Sequence, residues 1–144
     1  MRVEIKRIPP GGEENAVIQV AELTDSVRSA VDLLENQCRT VPVLSEGKTM
    51  MCRTVQIYYI ESVDKRSFIY TKAGCYETKY RLYELEELLD SRFLRCAKAM
   101  IVNIRKIRSV KSELNARMRA ELLNGEQIVI SRGYVKDLKE KLGV

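Results

Sequence analysis

Apolar and charged residues alternate over Met1–Ile8, where Val3 and Ile5 stand between Arg2, Glu4 and Lys6, and this predicts a strand. Pro9-Pro10-Gly11-Gly12 ends it in a loop, and Ala16–Val20 reads as a second strand. At Thr24 the period changes. Val27, Ala30, Val31 and Leu34 recur at i, i+3, i+4 and i+7, the stripe of an amphipathic helix whose first N–H groups Thr24 can cap. Thr40–Leu44 returns to a strand, and Ser45-Glu-Gly-Lys48 reads as a turn. The turn is taken as a boundary between a β-α-β N-terminal extension, residues 1–44, and a main module, residues 45–144.

The module reads as mainly β, so the chain as a whole is of the α+β class. Val55–Glu61, Ser67–Lys72 and Cys75–Tyr80 are rich in Tyr, Ile and Thr and are divided by Ser62–Arg66 and Ala73-Gly74, which predicts a three-strand meander. Leu82, Leu85, Leu88 and Leu89 with interposed glutamates predict a short amphipathic helix over Arg81–Asp90. Ala99–Asn103 and Arg105–Val110 read as short strands. Arg117–Leu122 alternates charge with apolar, and Asn124-Gly125 predicts a two-residue type I′ hairpin to Glu126–Ser131. A last amphipathic helix turns Val135, Leu138 and Leu142 inward, with lysines 136, 139 and 141 outside.

At 144 residues the chain is about the size of one domain, and 45% hydrophobic with 31% charged residues is a globular composition. No apolar run approaches the length of a membrane-spanning helix, and Met1–Ile8 lacks the continuous apolar stretch of a secretory signal, so a cytoplasmic location is expected. Histidine is absent, which removes the commonest general base and metal ligand. Cys38, Cys52, Cys75 and Cys96 form no C-x-x-C pair, so they are expected to be buried, reduced thiols. No metal, cofactor or catalytic activity is expected.

Charge is unevenly placed. Up to Asp90 there are 12 basic against 15 acidic residues, and beyond it 13 against 5, so the C-terminal part is +8 and the rest −3. A positive field of that kind suits a polyanion, while a solvated face is the plainer explanation. Gly47-Lys48-Thr49 is similar to the tail of a phosphate-binding loop, but the earlier glycine it needs is replaced by Pro42 and no helix follows. Phe68 and Tyr70 share a strand face, as do the base-stacking rings of RNA-binding sheets, though such a pair is more often sheet core. A Ser–Lys nucleophile has nothing to support it.

Phe93-Leu-Arg-Cys-Ala-Lys-Ala-Met-Ile-Val-Asn103, then Ile104–Val110, Asn124-Gly125 and Ile130-Ser-Arg132-Gly-Tyr134 before a Lys-rich helix, resemble the LytTR family of bacterial DNA-binding domains. Ile57-Tyr-Tyr-Ile-Glu-Ser62 and Leu82-Tyr-Glu-Leu-Glu-Glu-Leu-Leu89 are similar to its opening strand and helical segment, so the likeness covers about residues 45–144. It implies short antiparallel sheets whose loops enter successive major grooves of a repeated promoter site in double-stranded DNA. By position it implies a base reader in the loop of Lys65, Arg66 and Ser67, where members often carry histidine. It also implies a polar contact at Asn103 and a base-reading arginine at Arg132. Lys98, Arg105, Lys106 and Arg108, nearby in sequence, make a basic surface with them. Ala97 and Ala99 depart from a commoner His and Ser.

Read alone, Asn103 could end a strand and Arg132 could guard a sheet edge. The 44-residue extension is too short for a receiver domain, so it is expected to make a homodimer, with a membrane protein or small ligand as candidate input. An RNA-binding regulator and a protein-interaction adaptor are the alternatives to DNA reading.

Overall fold

The computed structural model describes residues 1–36 and 39–144, leaving aside the side chain of Asn36; Cys38 lies outside the described residues. The first helix, α1 (Asp25–Asn36), starts where its cap predicts, with the Thr24 hydroxyl accepting the Val27 N–H at 3.3 Å. The strands expected at residues 1–8 and 16–20 are not formed, which corrects the β-α-β extension to a helix and one strand. An alternating pattern becomes a strand only beside another backbone, and Met1, Val3, Ile5 and Val17 remain exposed with none alongside.

β1 (Thr40–Ser45) and β2 (Lys48–Arg53) form a hairpin around Glu46-Gly47, where both residues take positive φ. β3 (Ile57–Val63), β4 (Arg66–Thr71) and β5 (Gly74–Thr78) are the expected meander. In α2 (Leu82–Leu88) the Glu84 carboxylate accepts the Arg81 N–H at 3.1 Å, closing the helix start. β6 (Phe93–Ala97) and β7 (Met100–Asn103) complete a sheet of order β2-β1-β5-β4-β3-β7-β6. β1 therefore lies in the same sheet as the module that follows it.

A second sheet, β10-β9-β8, is made from β8 (Ile107–Ser112), β9 (Met118–Leu122) and β10 (Gln127–Ile130). The β9–β10 hairpin is present, but its loop is longer than a two-residue turn. Gly125 N–H reaches Leu122 O and Leu122 N–H reaches Glu126 O, and of the pair Asn124-Gly125 only Gly125 takes positive φ. That is a type I turn closed by a glycine bulge. α3 (Val135–Leu142) seals the end of the chain with Leu138 fully buried.

Two cores result. Val41, Val43, Ile57, Ile60, Ile69 and Ile101 pack with Leu82, Leu85 and Leu89 of the α2 region. Tyr58, Cys96 and Val102 pack with Met118, Leu122, Ile130 and Leu138 on the other side. Cys52 and Cys96 are buried as expected, whereas Cys75 is exposed because it sits just after the β4–β5 turn. Burial pushes the Cys96 thiol up to about 12.

Candidate nucleic-acid interface

Three turns meet at one end of the large sheet. The β3–β4 turn holds Asp64 and Lys65 at φ 51° and 64°, so an unbranched lysine takes a left-handed conformation and stands exposed. Beside it runs the β6–β7 turn with Lys98, joined to β3 by the Ser62 N–H on Ala99 O at 2.8 Å. The third is the 3₁₀ turn Arg132–Tyr134 that opens α3, fixed to β6 by the Ser131 N–H on Cys96 O at 2.9 Å. Lys65, Lys98 and Arg132 are exposed and none forms an ion pair among the described residues. Arg66 begins β4 and pairs with Glu77 at 3.2 Å, a solvent-exposed contact that costs little to exchange.

The opposite end of β7 is built differently. Asn103 is 1% exposed. Its side-chain N–H donates to Ile57 O at 2.8 Å and its side-chain oxygen accepts the Arg105 N–H at 3.0 Å. It caps the 3₁₀ turn Ile104–Lys106 and locks it to β3. The resemblance implied a DNA contact here, and the structure instead spends both ends of the amide inside the protein. Ser67 is likewise corrected: it is buried on β4 opposite Thr78, so the hairpin offers Lys65 and Arg66 to solvent and not the serine. Arg105 is exposed at this end, and the Lys106 ammonium lies 5.0 Å from the Tyr58 ring centre, a cation–π contact. The basic residues thus form two groups about 10 Å apart, the length of β7, and not one patch.

Two arginines that hold these turns were not singled out by the sequence. Arg95 donates to Ala97 O at 3.0 Å, and also bonds Lys98 O and the Glu86 carboxylate, so it shapes the turn that presents Lys98. Arg92 is buried against Asp90, with Nε 2.9 Å from its Oδ1, and reaches Thr54 Oγ1 at 3.2 Å. The only available signal was an arginine amid apolar residues, which does not tell a buried ion pair from a surface charge. Glu113 and Arg119 satisfy one another, and the hydrogen bond from Arg119 holds the Glu113 carboxyl below its usual range. The ring of Tyr70 is stacked on Tyr59 at 4.3 Å and its hydroxyl meets Glu61 at 3.5 Å, which leaves that ring engaged within the sheet.

Among the described residues no group of three or more Cys, Asp or Glu is placed to hold a metal ion. No described helix is long and apolar enough to cross a membrane. Between α1 and the body lies a cleft of about 370 Å³, lined by Ser26, Ser29, Ser91, Arg105 and Lys141 among others.

Exposed, unpaired cations on the turns of an antiparallel sheet suit a polyanionic partner such as a nucleic acid. The model of the LytTr DNA-binding domain matches residues 47–143, and the chain belongs to the LytTR family. It is 27% identical over 105 residues to the sensory transduction protein LytT of Enterococcus faecalis, covering 72% of this chain and 43% of that one. It is 26% identical over 129 residues to an HTH-type transcriptional regulator of Staphylococcus aureus, covering 88% of each. The fold matches a LytTr DNA-binding domain from Bacillus cereus with a TM-score of 0.69 at 24% identity, over 73% of this chain and 97% of that one. The module is accordingly a DNA-binding domain and not an enzyme. α1, α2 and α3 are separated by strands, so no helix-turn-helix pair is present among the described residues.

Proposed function

We propose that this protein is a transcriptional regulator that reads repeated promoter sites in double-stranded DNA, with two copies engaging two repeats. The observation that carries the reading is the placement of Lys65, Lys98 and Arg132 on three adjacent turns, exposed and outside any ion pair among the described residues. Arg132 is the base reader, since a guanidinium can take guanine O6 and N7 together. Lys65 and Lys98 hold phosphates, and Arg66 joins them when DNA displaces Glu77. Arg105 and Lys106 contact the backbone further along the duplex. Asn103 and Ser67 act by keeping the strands in place.

Selection from a random duplex pool, followed by anisotropy across a salt series, tests this. A repeated motif is expected to be enriched by the wild-type protein and lost with Arg132→Ala. Equal weakening of cognate and random DNA by Arg132→Ala would show that it does not read bases. Binding confined to single-stranded RNA would replace the proposal with the RNA reading.

A further inference from the structure

β2 is a sheet edge left open. The other edge of the large sheet, β6, is covered by the chain after β10 through the Ser131–Cys96 bond, and β10 in turn faces β6. β8 is protected in another way, by a bulge between Ile107 and Ser109 and by exposed Arg108 and Lys111. β2 has no bulge, no proline, and charge only at its ends, Lys48 and Arg53. Its middle is Thr49, Met50 and Met51, all exposed, with Met51 at 57%. The two-residue turn makes Ser45 and Lys48 a hydrogen-bonded pair, so alternation aims the N–H and C=O of Thr49, Met51 and Arg53 outward. Pro42, which has no N–H to give, lies opposite Met51 as this register requires.

The same chain carries a strand pattern with no sheet. Val3 is 77% and Ile5 89% exposed, although both fall on one face of the alternating segment 1–8. Set beside β2, that face would continue the row of Val41, Val43 and Cys52. We infer that residues 1–8 of a second copy add as a strand to β2, and that the exchange is reciprocal. Each copy then contributes once as segment and once as edge. This doubles the buried area toward the about 1,200–2,000 Å² of a stable interface. β2 lies three strand spacings, about 14 Å, from β4 and six, about 29 Å, from β6, so the added strand does not abut the DNA-facing turns.

This inference rests on the two-copy reading above and names its interface. Sedimentation of the full chain at micromolar concentration, without DNA, is expected to give a dimer. Deletion of residues 2–8 removes the segment, and Met51→Pro removes an outward N–H from the edge; each is expected to be monomeric. Met51→Lys charges the edge without altering the backbone and is expected to act likewise, which covers the case in which proline unfolds the hairpin. Mixed at tenfold higher concentration, the deletion and the edge variant restore one docking site and are expected to form a heterodimer. A monomeric wild type, variants that still dimerise, or a mixture that stays monomeric would overturn the exchange. A dimer that enriches no DNA sequence would leave this interface standing and remove the DNA reading, and a monomer that enriches one would do the reverse.

Discussion

Asn103 closes β7 and Arg132 follows β10, so each is a polar residue at the end of a short buried strand with basic or aromatic neighbours just beyond. Sequence gives both the same standing as a DNA contact. The structure separates them by where the chain goes next. After Asn103 it enters a 3₁₀ turn held against β3, and the amide is consumed by Ile57 O and the Arg105 N–H. After Arg132 it turns outward into α3, and the guanidinium is left in solvent. Polar residues at strand ends thus divide into those that hold a corner and those that the corner presents.

The sharpest break in that contrast comes from Asn103→Ala. It leaves the buried Ile57 O without a partner, at about 1–3 kcal/mol, and frees the part-buried Arg105 N–H at less, so the urea midpoint should fall and DNA binding should fall only as the fold does. An unchanged midpoint with lost cognate affinity would make Asn103 a reader after all. Arg132→Ala should do the opposite, removing about 1–3 kcal/mol of discrimination on cognate DNA with stability altered by less than about 0.5 kcal/mol. Lys98→Ala should weaken every duplex alike and lower the salt slope by about one, measured by anisotropy between low and physiological salt.

A finer probe is chemical. Cys96 supplies the carbonyl that holds Ser131, and its own thiol is pushed up to about 12 by burial. The folded value lies above the ordinary thiol value of 9.0. Its contribution to stability is therefore complete below pH 9 and lost as pH rises toward 12. In timed alkylation at pH 8 with peptide mapping, exposed Cys75 should react first and Cys96 only on unfolding. Early reaction of Cys96 would mean that the Arg132 corner opens on its own.

The β3–β5 meander was legible because β-rich runs alternate with turns that any sheet would need. β2 was not, because Lys-Thr-Met-Met-Cys-Arg has few β-branched residues and forms an edge whose partner is only the strand before it. β6 was hidden by its arginine, whose role depends on the Glu86 carboxylate of a helix. Residues 1–8 carried a genuine strand pattern and the described fold has no place for it, since period two states which side chains share a face and not which backbone lies alongside. For the site, the turns and their charges were readable. Burial of Ser67 and Asn103 was not, because it is set by chain segments up to 46 residues away.

The strand order also has a kinetic meaning. Most strands lie beside their neighbours in sequence, and such hairpins close within microseconds. Two pairings do not, β1 with β5 and β3 with β7, and each must enclose the strands between before it gains anything. As the chain leaves the ribosome, the β1–β2 hairpin waits for β5, and β3 waits for β7. Val102 of β7 shares a core with Leu138 of α3, so the corner that carries Arg132 rests on one of these two long-range pairings.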